Sequence, residues 1–458
     1  MTTSKRKWFS RWLRRSVLAL AVLLAVVGLG RLTQVWWESR LTGARGPYLQ
    51  NVTPTAITVR WQTLQPEIGE VDYGSAPDAL IRQVREPEAT RIHQLRIEGL
   101  STATRYFYSI GSAGRVEQGG KDYWFYTAPQ PGSVAPYRFW VQGDPGYYNE
   151  GARAVRAAME QWVMAHPRDE RPPFDLWLTT GDNAYSSGRD RDYQKNLFDA
   201  YPDLLRDTPY VPVYGNHDSR RRAFYRLFTF PEKGEAGGVP SGSAHYFSFD
   251  YGNVHFIILD SEATNRSEDG AMHAWLQRDL AADRQTWRIV LFHHPPYSRA
   301  THNSDSAFDS RGRMIQMREN FLPLLEQYGV DLVLTGHSHI YERSYLLHCH
   351  YGKGNTFKSS MIVQPGEGDQ VPYRKPLNPV ARDGTVYAVV GSTSNLDMGP
   401  LDHPANLVVR HERGSLMIYV DGDTLNANFI NSDGKVSDHF AIVKSADVVA
   451  SGTACPSD

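Results

Sequence analysis

Apolar residues recur at two spacings along this chain, and the change of spacing divides it. From residue 46 to about 130 they alternate with polar residues over short runs. Ala56-Ile57-Thr58-Val59-Arg60-Trp61 is β-branched and alternating, Gly69-Glu70-Val71-Asp72-Tyr73-Gly74 reads as a strand and a turn, and Leu95–Leu100 precedes Thr104–Ile110. Short strands between turn residues, with no helical period, predict an all-β sandwich. Leu100 followed by Tyr106 has the look of a tyrosine corner. Thr127-Ala128-Pro129-Gln130-Pro131-Gly132 reads as a linker.

From Tyr137 the two spacings alternate. Arg138–Gln142, Asp175–Thr180, Tyr210–Tyr214, Trp287–Phe292 and Val330–Thr335 read as strands. Between them Gly151–Ala165 puts Ala154, Val155, Ala158, Trp162 and Val163 on one helical face. Asp269–Ala282 and Met314–Tyr328 read as helices, and 190–205 as a polar helical segment. His245–Asp250 and Asn253–Asp260 pair across Tyr251-Gly252. The segment 348–383 is rich in Gly, Pro and charge and reads as a long surface loop. Strands resume at Thr385–Gly391 and at Ser415–Asp421, which returns through Asp421-Gly422-Asp423 to Thr424–Asn431. The expected fold is α/β (α+β), mixed sheets flanked by helices, preceded by the β-sandwich and an N-terminal hydrophobic helix.

That first helix comes from charge as much as from hydropathy. Lys5, Arg6, Lys7, Arg11, Arg14 and Arg15 precede an apolar run from Val17 to Gly30. This is the pattern of an export segment. Either it stays as a membrane anchor, extended past Arg31 to Trp36 and Trp37, or it is cut to release a secreted or periplasmic protein. The expected order is 1–40 export segment or anchor, 46–130 sandwich, 136–445 catalytic domain and 446–458 tail. The formal net charge is −1, so nothing global recruits nucleic acid. Cys349 and Cys455 are the two cysteines, and in an exported protein they either form one bridge or stay free.

The candidate chemistry sits just past strand ends, where open α/β sheets place their sites. Five loops carry it: Asp144 in Gly-Asp-Pro-Gly, Asp182 and Tyr185 in Gly-Asp-Asn-Ala-Tyr, Asn216 and His217 in Gly-Asn-His-Asp, His293 in Val-Leu-Phe-His, and His337 and His339 in Gly-His-Ser-His. Apart from His217 these are seven donors, more than the about four that one zinc takes, and they suit two metals with a carboxylate between them. Asp182 is the natural bridge, because a carboxylate has two oxygens. Phenolate and carboxylates favour a hard trivalent ion, while the amide and imidazoles suit a divalent one. His217, beside a ligand, is placed to hold a phosphate oxygen or protonate a leaving group.

In that order the loops resemble the calcineurin-like metallophosphoesterases. Tyr185, three residues after Asp182, and Ile340-Tyr341-Glu342-Arg343-Ser344 after the last histidine narrow the resemblance to the purple acid phosphatases. Pro47-Tyr48-Leu49-Gln50 and Glu70-Val71-Asp72-Tyr73-Gly74 resemble that family's N-terminal, fibronectin type III-like module, so the likeness covers about 46–445. It implies an acid phosphatase that hydrolyses phosphomonoesters by attack of a metal-bound hydroxide. A phosphodiesterase on the same scaffold and a non-catalytic cell-surface binding protein are the alternatives. The resemblance also implies a ferric site of Asp144, Asp182, Tyr185 and His339, and a divalent site (Zn, Mn or Fe) of Asp182, Asn216, His293 and His337. His217 matches a substrate-contacting histidine. His302 falls where plant enzymes carry a further histidine, whereas their next histidine is Asn303 here.

Overall fold

The computed structural model describes residues 12, 16–30, 43–168, 171–220, 223–366, 371–448 and 455. The chain divides into two compact units, 1–42 and 43–458. In the first, residues 16–30 are helical and largely exposed. At 1.5 Å per residue that helix reaches about 22 Å, short of the roughly 30 Å of a bilayer core. The expected transmembrane helix is therefore not found: among the described residues no helix is long and apolar enough to cross a membrane. Its proposed extension to Trp36 and Trp37 lies outside the described residues.

The second unit opens with the sandwich. One sheet orders Arg45–Gln50, Ile57–Glu67 and Thr90–Ile97, and the other is built on Gly69–Gly74 and Arg105–Ser112. Val59, Trp61, Val71, Ile97 and Ile110 alternate inward and are buried. The tyrosine corner is present: the Tyr106 hydroxyl accepts from Ser101 N at 2.9 Å. Polar contacts tie this module to the α/β domain. Tyr48 donates to the Leu227 carbonyl at 2.6 Å, Tyr108 to the Arg206 carbonyl at 2.7 Å, and Arg45 pairs with Asp190 at 2.6 Å.

Two further sheets share one core. In the first, Tyr210–Val211, Leu176–Thr179 and Tyr137–Gln142 run parallel, and the antiparallel Gly414–Asp421, Thr424–Asn431 and Val436–Ser445 continue it. In the second, Val254–Ile258, Trp287–Leu291, Leu332–Thr335 and Thr385–Val390 are parallel neighbours, flanked by Phe247–Tyr251 and Tyr341–Leu347. Their inner faces meet through Phe139, Val141, Phe256, Ile289, Leu334 and Leu416, all in one buried cluster. The helix Glu150–Ala165 starts on an Asn149 cap that accepts from Ala152 N, and it buries Val155, Ala158 and Trp162. The helices expected at 269–282 and 314–328 appear as Ala271–Ala282 and as a continuous run from Arg313 to Gln327. The strand ends of both sheets are thereby aimed at one place.

The stretch 348–383 departs from the expected open loop. It contributes Ile362–Gln364 to the second sheet and Tyr373–Pro376 to the edge of the first. Composition misleads here because buried charges are paired: Lys375 Nζ lies 2.9 Å from Asp331 and 3.0 Å from Asp383. Cys349, at the start of the stretch, is bonded to Cys455. The bond spans 106 residues of sequence, and closing a loop of about 100 residues is worth up to about 4.7 kcal/mol in the chain-entropy account, less in practice. Cys455→Ser is expected to cost about 2–4 kcal/mol, read as a lower urea midpoint than the oxidised wild type. An unchanged midpoint would refute this.

Candidate metal centre

Every predicted donor arrives at the same point. Gly143-Asp144 follows the strand Tyr137–Gln142, Gly181-Asp182 follows Leu176–Thr179, and Asn216 lies beyond Tyr210–Val211. His293 and His337 follow two parallel strands of the other sheet. Asp144, Asp182 and His293 bring ligand atoms within 4.8 Å of one another, all buried. The Tyr185 hydroxyl lies 3.2 Å from Asp144 Oδ1 and 2.9 Å from His339 Nε2. Asn216 Oδ1 lies 2.9 Å from His293 Nε2 and 3.0 Å from His337 Nδ1. Asp182 Oδ1 is 3.5 Å from His293 Nε2 and accepts from His217 N at 2.7 Å. The seven side chains thus form two halves, Asp144–Tyr185–His339 and Asn216–His293–His337, with Asp182 next to both.

The backbone is strained to do this. Asp144, Asp182 and His337 take φ of 54°, 55° and 69°, a left-handed conformation that non-glycine residues rarely adopt. Such residues cost of order 1–3 kcal/mol each and cluster at functional sites. Glycine gives the room: a Cβ on Gly336 would lie 2.4 Å from Asp144 Oδ2, and one on Gly181 would lie 2.4 Å from His293 Nδ1. Gly336→Ala is therefore expected to displace the Asp144 carboxylate. Metal content should fall while unfolding shifts by no more than about 1–3 kcal/mol, the usual cost of overpacking. Unchanged metal content would refute the close approach.

The chemistry of the donor set fits cations. Two carboxylates are buried together, and Tyr185 is held protonated: burial raises its pKa well above 10, and Asp144 and Asp182 push it further. Burial and the neighbouring histidines hold His337 well below its ordinary value, so its ring is neutral, as a ligand must be. Each ligand-type histidine has its outer nitrogen fixed. His293 Nδ1 faces the Thr180 carbonyl at 2.9 Å, His337 Nε2 faces Ser310 Oγ at 2.7 Å, and His339 Nδ1 faces Asp397 Oδ1 at 3.1 Å. With the outer nitrogen so engaged, a neutral ring turns its other nitrogen's lone pair toward the centre. The buried Asp250–His255–Asp283 group differs. Both His255 ring nitrogens are already taken by carboxylates, Nδ1 by Asp250 Oδ1 at 2.7 Å and Nε2 by Asp279 Oδ2 at 2.9 Å, so the group reads as a closed ionic cluster.

The two candidate catalytic histidines lie at the rim. His217 Nδ1 donates to the Ser186 carbonyl at 2.7 Å, which leaves Nε2 3.9 Å from Asp182 Oδ2 and partly open to solvent. His302 stacks on His337 with ring centres 3.9 Å apart, and its Nδ1 pairs with Asp309 at 3.0 Å. Asn303 is engaged in its own turn, its Oδ1 accepting from Asp305 N at 3.0 Å. Sequence reasoning missed the residues behind these groups: Asp397, Ser310, Asp309 and Asp218. Asp218 accepts from Gly215 N, Asn183 N and Tyr193 OH, which braces two donor loops. Only Asp218 carried a signal, its place beside Asn216-His217.

Residues 137–341 match the family described as calcineurin-like phosphoesterase, and 47–127 match the purple acid phosphatase N-terminal domain. Purple acid phosphatase 22 of Arabidopsis thaliana is 30% identical over 268 residues, 55% of this chain and 54% of its own length. A phosphoenolpyruvate phosphatase of Allium cepa is 28% identical over 370 residues, 74% of this chain and 67% of its own. The chain thus spans about half the length of the first of these relatives. The solved purple acid phosphatase PPD1 of yellow lupin, Lupinus luteus, shares the fold, with a TM-score of 0.68 at 20% identity over 91% of this chain and 77% of that one. By these matches the chain is similar to the purple acid phosphatases, with a region like their N-terminal domain ahead of a region that matches the calcineurin-like phosphoesterases.

Proposed function

We propose that this chain is a binuclear metal-dependent acid phosphatase that hydrolyses phosphomonoesters. One observation carries the reading: seven buried or half-buried donors from separate loops converge around one shared carboxylate, Asp182. Asp144, Asp182, Tyr185 and His339 would hold iron(III), and Asp182, Asn216, His293 and His337 a divalent ion, Zn, Mn or Fe. Two such ions supply a positive clamp on phosphate oxygens and water of lowered pKa for in-line displacement. His217 Nε2, anchored through Nδ1, would hold a phosphate oxygen or give a proton to the leaving alkoxide. His302, oriented by Asp309, flanks the same opening. The names of the relatives, purple acid phosphatases and a phosphoenolpyruvate phosphatase, support monoesters as the substrate class. The full donor set argues against a non-catalytic binding protein.

The test compares initial rates on an aryl phosphate and a bis-aryl phosphate, with elemental analysis of the same sample. Faster monoester turnover with two metals per chain, one of them iron, is expected. Faster diester turnover would make the protein a phosphodiesterase, and no turnover with no metal would end the enzymatic reading. Export is part of this proposal. The basic segment before the apolar run and the Cys349–Cys455 bond both fit an oxidising compartment. Protein found only in the cytoplasmic fraction after cell fractionation would refute it.

A further inference from the structure

The three ligand-type histidines differ in what stands behind them. His293 leans on a main-chain carbonyl and His337 on a serine hydroxyl, both neutral. Only His339 is backed by a carboxylate. Asp397 grips it three times: Oδ1 lies 3.1 Å from Nδ1, Oδ2 accepts from His339 N at 3.0 Å, and Asp397 N donates to the His339 carbonyl at 3.0 Å. Asp397 is itself held, since its carbonyl faces His411 Nε2 at 2.8 Å and Thr301 Oγ1 donates to the next carbonyl, that of Met398, at 2.9 Å. Its side chain is 11% exposed, so solvent screens the charge little.

This contact extends an imbalance already present among the donors. Asp144, Tyr185 and His339 form one half and the neutral Asn216, His293 and His337 the other, with Asp182 common to both. A carboxylate behind an imidazole raises the ligand's basicity and fixes its tautomer, and such outer partners set metal affinity and potential. Resting on the phosphatase reading, we propose that Asp397 is a positioning residue that acts through His339 to make the Asp144–Tyr185–His339 half the preferred seat of the more highly charged ion. Ser310, behind His337, has no charge and serves as the internal comparison.

The experiment uses the full chain as wild type, Asp397→Asn, Asp397→Glu and Ser310→Ala, loaded with iron and zinc and dialysed. Iron and zinc per chain, the visible band of iron bound to a tyrosinate, and the iron reduction potential are measured, with circular dichroism as the folding control. Asp397→Asn should weaken iron retention about 10–100-fold, the usual cost of removing an outer partner. Its iron should also reduce more readily, with zinc retention unchanged. Asp397→Glu keeps the charge and should keep the iron. Ser310→Ala should weaken zinc before iron. Wild-type band, potential and iron retention in Asp397→Asn would overturn the proposal, as would loss of iron from a folded Asp397→Glu. If Asp397→Asn does not fold, the Glu variant decides in the same way. A wild-type chain that binds no metal would instead sink the phosphatase reading itself.

Discussion

Asp182→Ala is expected to reduce turnover of an aryl phosphate by more than about 100-fold and to leave at most one metal per chain. Removing even an outer-sphere partner of a metal ligand costs about 10–100-fold, and Asp182 is the one carboxylate adjacent to both halves. Its Oδ1 also accepts from His217 N at 2.7 Å, so the substitution frees the loop that presents His217 Nε2 to the opening. Folding should survive. Asp182 is buried beside Asp144, whose pKa burial and the Asp182 charge both raise, and deleting one of two neighbouring buried carboxylates from the metal-free chain relieves their repulsion and desolvation. The metal-free variant should therefore unfold at a urea concentration no lower than the metal-free wild type. A variant with full activity and two metals would remove Asp182 from the centre of the mechanism. A variant that fails to fold would place its main role in the scaffold.

The five donor loops were legible because each follows an apolar run and four of them open on glycine, so strand, turn and ligand fall within a few residues. The sandwich was legible for a similar reason: Val59, Trp61 and Val71 alternate, and Tyr106 stands where a tyrosine corner needs it. Asp397 was not legible. It lies 58 residues beyond His339, and nothing in Ser394-Asn395-Leu396-Asp397 distinguishes a carboxylate behind an imidazole from ordinary turn chemistry. Asp309 and Ser310 were hidden likewise, in an exposed loop that passes through left-handed residues at Ser310 and Arg311. The stretch 348–383 misled in the opposite direction. Its charges looked solvated, yet Lys375 is buried, because its partners Asp331 and Asp383 come from a strand start and a turn that sequence spacing does not link.

Lys375→Met is expected to destabilise the fold by about 3–5 kcal/mol, the usual cost of stripping one partner from a buried ionic group. Four charges meet here with no exposed side chain: Lys375 contacts Asp331 and Asp383, and Lys444 contacts Asp331 at 2.8 Å. Two positive and two negative charges balance, and the methionine leaves one buried carboxylate in excess. The loss should be pH-dependent. Burial raises the Asp331 pKa, but Lys375 and Lys444 outweigh burial and hold it below the ordinary carboxylate value. A depressed acid contributes stability that is present above its unfolded pKa, about 3.9, and is lost as pH falls through the folded value. With Lys375 gone the depression shrinks and there is less to lose, so the stability gap between variant and wild type should narrow as pH falls below about 3.9. Lys375→Met combined with Asp383→Asn removes one charge of each sign and should recover part of the loss. Metal content should not change in either variant. Asp331 precedes the strand Leu332–Thr335 while His337 follows it, so the ionic group and the metal centre sit at opposite ends of one strand. Urea midpoints across pH, read beside metal analysis, separate the two roles. A single variant that loses its metals without losing stability would contradict this division of the strand.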